Sequence, residues 1–107
     1  MNQVVTLCES LVEIAPLLIS DRECEVFKGR ITRYLKVGPR AATPLHGDVG
    51  RLLGLARFWS EKLTRCNILD ESEATLRKVL MIRRHLRGGM TLTLELAVLW
   101  FQAERRC

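Results

Sequence analysis

Seven apolar residues in the middle of the chain recur at alternating steps of four and three; they are Leu45, Val49, Leu52, Ala56, Trp59, Leu63 and Cys66. This spacing keeps side chains on one stripe of a continuous α-helix, because such a helix turns once in about 3.6 residues. Thr43 and Pro44, immediately upstream, are typical of a helix start. We call these seven residues the seam. They predict one long central helix over about residues 44–66, with Leu52, Ala56 and Trp59 buried.

Four further helices are predicted around the central one. The first covers about residues 3–19, and the second begins at the S-x-x-E capping sequence of residues 20–23 and runs to about Lys36. The fourth is capped by Asp70-Glu71-Ser72-Glu73 and runs to about Arg87, and the last covers about residues 91–105. No segment alternates between apolar and polar residues as a strand does. We therefore predict that residues 1–107 form a single all-α domain, a compact bundle of about five helices.

Composition and cysteine usage exclude several classes of protein. With 48% hydrophobic and 27% charged residues, the chain resembles an ordinary globular domain. No apolar run approaches the roughly 18 residues of a membrane span, and the N-terminus lacks the pattern of a signal peptide. The four cysteines contain no C-x-x-C pair, which favours reduced thiols over disulfides or zinc ligands. We therefore expect a cytoplasmic protein without a membrane contact.

Residues that could carry out catalysis are few. The two histidines, His46 and His85, have no cysteine, serine or carboxylate at the spacing of a nucleophile–base pair. The acidic residues are scattered, so they predict no metal site. No glycine-rich phosphate loop follows a strand. We expect neither enzymatic activity nor a cofactor or metal ion.

The charge leaves three interpretations open. The chain carries a formal net charge of +5, and its basic residues cluster on the second, third and fourth predicted helices. Such clusters occur on solvated helix faces, where cations favour the C-terminal turns. They also bind nucleic-acid phosphates or an acidic partner protein.

Glycines on the central helix point to close contact with another helix. Gly47, Gly50 and Gly54 lie on one stripe, and each lowers helix stability by about 1 kcal/mol relative to alanine. The stripe fits either a close crossing within the chain or the docking of a second chain. Leu55 and Phe58 lie beside it, away from the seam, and either widen the buried face or form an exposed contact.

The last predicted helix is apolar on nearly all sides. Between Leu94 and Phe101 its only polar residue is Glu95, and a small bundle can hardly cover every side of a terminal helix. We therefore predict that part of it contacts another chain, most simply in a symmetric homodimer. The candidate contact residues are Gly50, Gly54, Leu55, Phe58, Trp100 and Phe101.

Part of the chain resembles a family of DNA-binding regulators. Residues 48–63 are similar to the helix-turn-helix of MerR-type proteins, with Gly50 at the small-residue site and Gly54 in the turn. Residues 82–86, followed by residues 89–92, look like the helical pair that comes after the wing in that family, so the resemblance extends to about residue 101. It implies DNA contacts by Arg57 and Arg65. The chain departs from the pattern at Ser60, where the recognition helix needs an apolar anchor, and it has no hairpin for a wing. The seam, in contrast, predicts a helix that does not bend at Gly54.

The whole chain resembles the small helical antiactivators of bacterial transcription factors, of the quorum-sensing type directed against LasR. The resemblance lies in size, the all-helical plan and the general run of the sequence, and no diagnostic motif assigns a functional residue. It implies a regulatory protein that sequesters a transcription factor or blocks its dimerisation. We therefore expect a cytoplasmic protein that binds another protein, with a MerR-like DNA-binding regulator as the alternative.

Overall fold

Five α-helices account for most of the chain. The computed structural model describes residues 2–65 and 71–106, and within these ranges it contains helices and no strand. The elements are α1 (Gln3–Leu18), α2 (Asp21–Val37), a 3₁₀ turn (Pro39–Ala41), α3 (Ala42–Leu63), α4 (Glu73–Arg87) and α5 (Met90–Arg105). The predicted all-α bundle of about five helices is confirmed.

The central helix α3 contacts the other four helices and packs most extensively against α5. It runs through Gly54 without interruption. The seam residues Leu45, Val49, Leu52 and Ala56 are at most 1% exposed. Ion-pair and hydrogen-bond partners show that α3 and α5 are antiparallel, because Arg57 meets Glu95 while His46 meets Arg105. The seam therefore faces the core along most of the helix.

Three details of the predicted central helix are wrong, and one of them is its end, which lies at Leu63 rather than at about residue 66. The helix begins at Ala42 rather than at Pro44, because the chain passes directly from the 3₁₀ turn into α3, and no side chain caps its start. Pro44 lies in the first turn, where its missing N–H removes no helical hydrogen bond. Trp59 is only partly buried and packs at the edge of the core, and the ammonium groups of Lys62 and Lys78 lie 5.1 and 5.2 Å from its ring centroid. The predicted final seam residue, Cys66, lies outside the described residues.

Serine side chains cap α2 and α4 as the sequence predicts. The backbone N–H of Glu23 donates to Ser20 Oγ at 3.3 Å, and that of Thr75 donates to Ser72 Oγ at 3.3 Å. Such caps satisfy N–H groups that have no partner inside the helix. Gly89, at a φ of 93°, gives the chain the left-handed conformation with which it enters α5.

Two cysteines belong to the core that these helices enclose. Cys8 and Cys24 are free thiols, 1% and 4% exposed, as predicted for reduced core cysteines. Burial raises the pKa of the Cys8 thiol to about 11. Cys66 and Cys107 lie outside the described residues.

Candidate protein interface

Helix α5 presents apolar side chains on two opposite faces. Its inner face, consisting of Met90, Leu94, Ala97 and Phe101, is at most 2% exposed. Its outer face carries Leu92, Leu96 and Leu99 at steps of four and three, and they are 60%, 53% and 63% exposed. Leucines that stay in water give no hydrophobic stabilisation to the fold. The outer face of α5 is therefore the clearest surface of the described chain for a contact with another molecule.

A groove of about 590 Å³ extends this outer face towards α1. Leu96, Leu99 and Trp100 line its α5 side, and Thr6 and Leu7 contribute from α1. Trp100 is 38% exposed, so it offers a large aromatic surface to a molecule that enters the groove. We call Leu92, Leu96, Leu99 and Trp100 the outer α5 surface.

Hydrogen bonds hold Trp100 from the core side. Its indole Nε1 donates to Tyr34 Oη at 3.0 Å, and this hydroxyl donates in turn to Glu104 Oε1 at 2.5 Å. Tyr34 is 4% exposed, and its ring packs edge-on against Phe101 at a centroid distance of 5.1 Å. Burial, together with the Glu104 hydrogen bond, raises the pKa of Tyr34 to about 12. The hydroxyl therefore remains a proton donor well above neutral pH, and it fixes the orientation of the tryptophan ring.

Replacing Tyr34 with phenylalanine should lower the free energy of unfolding by about 1–2 kcal/mol, because Trp100 and Glu104 both lose a partner. The effect should depend on pH. Since the folded-state pKa is raised from 10.0 to about 12, the wild-type hydroxyl contributes stability that is complete below pH 10 and is lost between these two values. Urea unfolding at pH 8 and pH 11 measures both effects. An equal stability difference between wild type and Y34F at the two pH values would contradict the proposed linkage.

The structure divides the predicted contact residues between two places. Trp100 lies on the outer α5 surface, whereas Phe101 has no exposed surface and belongs to the core. The prediction of Phe101 as a contact residue is therefore wrong, because a fully buried ring cannot touch a second chain without unfolding. The apolar sequence of α5 did not show which side faces inward.

The remaining predicted contact residues lie on α3. Gly50 and Gly54 are exposed, and a Cβ added at either would meet no atom within 4 Å. The close crossing within the chain, one of the two interpretations of the glycine stripe, is therefore wrong. Phe58 is 57% exposed, while Leu55 is partly buried and packs against the core.

Several basic side chains are paired with carboxylates of the same chain. Arg57 lies 3.5 Å from Glu95 of α5, and Arg65 lies 3.2 Å from Glu61. Arg30 reaches Asp48 at 2.7 Å. The pairs of Arg57 and Arg65 are exposed and contribute little to stability, but all three pairs neutralise part of the positive charge around α3. The two arginines assigned to DNA contacts under the MerR-like alternative are thus both ion-paired.

Two further properties belong to the described ranges, residues 2–65 and 71–106. Their helices are too short or too polar to cross a membrane. No three histidine, cysteine or acidic residues there lie close enough together to hold a metal ion.

Sequence reasoning identified Trp100 but missed the groove and the hydrogen-bonded chain behind it. Tyr34 and Glu104 are 70 positions apart, and Trp100 and Tyr34 are 66 apart. No local pattern signals such pairs, because they depend on how α2 and α5 pack. Comparison of the chain with protein-family models, curated proteins and solved structures gave no match.

Proposed function

We propose that this chain is a small cytoplasmic antiactivator, which binds a transcription factor and prevents its dimerisation. The observation that supports this proposal is the exposure of Leu92, Leu96 and Leu99 on one face of α5. The action requires no cofactor and no chemical step. Binding alone removes the factor from its active, dimeric form.

The chemistry of the outer α5 surface matches that of a dimerisation surface. Permanent homodimer interfaces are more apolar than the rest of a protein surface, and they resemble a domain core cut in half. A leucine stripe beside an aromatic side chain can replace the second subunit at such an interface. Trp100 supplies the kind of large, oriented side chain that often dominates binding energy.

The path of α3 supports this proposal over the MerR-like alternative. A helix-turn-helix needs two helix axes that meet at a turn, whereas α3 continues through Gly54. Arg57 lies on this same helix, and its guanidinium is engaged by Glu95. Binding of duplex DNA at one defined site in physiological salt, weakened by R57A, would instead favour the alternative.

The experiment is a reporter assay in bacteria with a LasR-type transcription factor and its target promoter. Expression of the wild-type chain should lower reporter output, and L99E should restore it, because a carboxylate in an apolar interface loses its hydration without gaining a partner. The direct readout is the affinity of the purified chain for the purified transcription factor. We expect L99E to weaken it about 30-fold or more.

Leu80→Glu is the matched control. Leu80 is 60% exposed and lies on α4, so L80E introduces the same charge at the same exposure away from the outer α5 surface. L80E should repress the reporter as the wild-type chain does. Repression by L99E equal to that of L80E would refute the proposed use of this surface.

A further inference from the structure

We infer that two copies of this chain pair through the outer α5 surface when no transcription factor occupies it, with the two α5 helices antiparallel about a two-fold axis. This inference rests on the proposed function, since it uses the same surface. The axis passes between Leu96 and Leu99. The geometry assigns Leu96 a position beside Leu99 of the second copy, and Leu92 a position beside Ala103 of the second copy.

The spacing of the outer residues is the first support for this arrangement. Leu92, Leu96, Leu99 and Ala103 follow one another at steps of four, three and four, a sequence of steps that reads the same in both directions. Two antiparallel helices with such a stripe interdigitate as a short coiled coil. Leucine then meets leucine at the centre, and leucine meets the small Ala103 at both ends. A parallel pair would instead place leucine against leucine at one end and leave alanine against alanine at the other.

Charge is the second support. A chain with a formal charge of +5 repels a copy of itself over most of its surface. Helix α5, however, contains no lysine or arginine before Arg105. Between Leu92 and Ala103 the one charged residue of α5 is Glu95, which Arg57 of the same chain partly neutralises at 3.5 Å. The antiparallel arrangement places Glu95 near Gln102 of the second copy, so two like charges do not meet.

The available area indicates how tightly the copies would bind. A specific interface buries at least about 1,000 Å² in total, and a pair of copies would have to supply this area from the outer α5 surface and the groove towards α1. Interfaces near this lower bound belong to weak, transient complexes, so we expect a pair that forms at about 100 µM and dissociates on dilution. A pair of this strength persists at high concentration, and a transcription factor with a larger apolar interface displaces the second copy.

Disulfide crosslinking tests the arrangement in the full chain, with Cys66 and Cys107 replaced by serine. Variants L92C and A103C, one of them carrying a tag, are oxidised with copper phenanthroline separately and as a mixture. The mixture should form the mixed dimer. L92C alone should not, because two residues 92 would lie roughly 16 Å apart along the helix axis at 1.5 Å per residue. Circular dichroism checks that each variant is folded.

Sedimentation at about 100 µM supplies the second measurement. L96A should raise the dissociation constant roughly 30-fold, whereas L80A on α4 should leave it unchanged. Efficient crosslinking of L92C with itself, or a dimer in which the mixture does not crosslink, would overturn the arrangement. If the wild-type chain sediments as a monomer but still represses the reporter, self-pairing is wrong and the antiactivator function stands. If it sediments as a dimer but does not repress the reporter, the antiactivator function is wrong and self-pairing stands.

Discussion

Phe101→Ala should lower the free energy of unfolding by about 4 kcal/mol, the middle of the range for aromatic residues in a core. The ring has no exposed surface, and it packs edge-on against Tyr34 where α5 meets the rest of the bundle. The loss combines the transfer of the removed atoms with the cavity that they leave. Urea unfolding measures the change, with an unaltered m value as evidence that both states keep their compactness.

Leu99→Ala is the matched control for this experiment. Leu99 is 63% exposed, so its truncation should change the stability of the single chain by less than about 0.5 kcal/mol. The two variants separate the two faces of α5, since one should affect folding and the other binding. A loss below about 1 kcal/mol for Phe101→Ala would mean that the inner face of α5 is not where the structure places it.

Gly54→Pro should destabilise the protein by about 3 kcal/mol or more. Gly54 lies in the interior of α3, so a proline there removes a helical hydrogen bond, and its ring clashes with the carbonyl group of Gly50. A turn at Gly54, as the MerR-like alternative requires, would accept proline at a smaller loss. Thermal and urea unfolding of the same samples give the size of the effect.

Gly54→Ala should change the free energy of unfolding in the opposite direction to Gly54→Pro. No atom lies within 4 Å of an added Cβ, and alanine favours the helix by about 1 kcal/mol over glycine. G54A should therefore raise the free energy of unfolding by up to about this amount. A destabilised G54A would contradict the open, helical environment of this residue.

The sequence predicts well the features that depend on residues close together in the chain, such as helix caps and the buried face of α3. Ser20 and Ser72 cap their helices as the capping patterns indicate, and the seam is buried from Leu45 to Ala56. Caps and amphipathic periodicity depend on residues within one or two turns of each other, so they can be read without a fold. The start of α3 was missed because a 3₁₀ turn leads into it, and such a turn has no pattern as clear as a capping box.

The candidate site was only partly predictable, for a physical reason. In a helix that is apolar on every side, such as α5, the positions of the apolar residues do not show which face points into the core. Trp100 and Phe101 are neighbours in sequence, yet one lines a groove and the other is enclosed. Only the packing of α1 and α3 against α5 decides between them. The tyrosine that orients Trp100 lies on α2, so the orientation of Trp100 also depends on how α2 and α5 are placed in the fold.

The buried thiol of Cys8 can report how often the folded protein opens. With a pKa near 11, only about one Cys8 side chain in ten thousand is a thiolate at pH 7, and the helices around it exclude an alkylating reagent. Since the thiolate is the reactive form, modification of Cys8 proceeds only through molecules that have opened. The rate at which Cys8 becomes alkylated, relative to its rate in denaturant, thus gives the fraction of open molecules under native conditions.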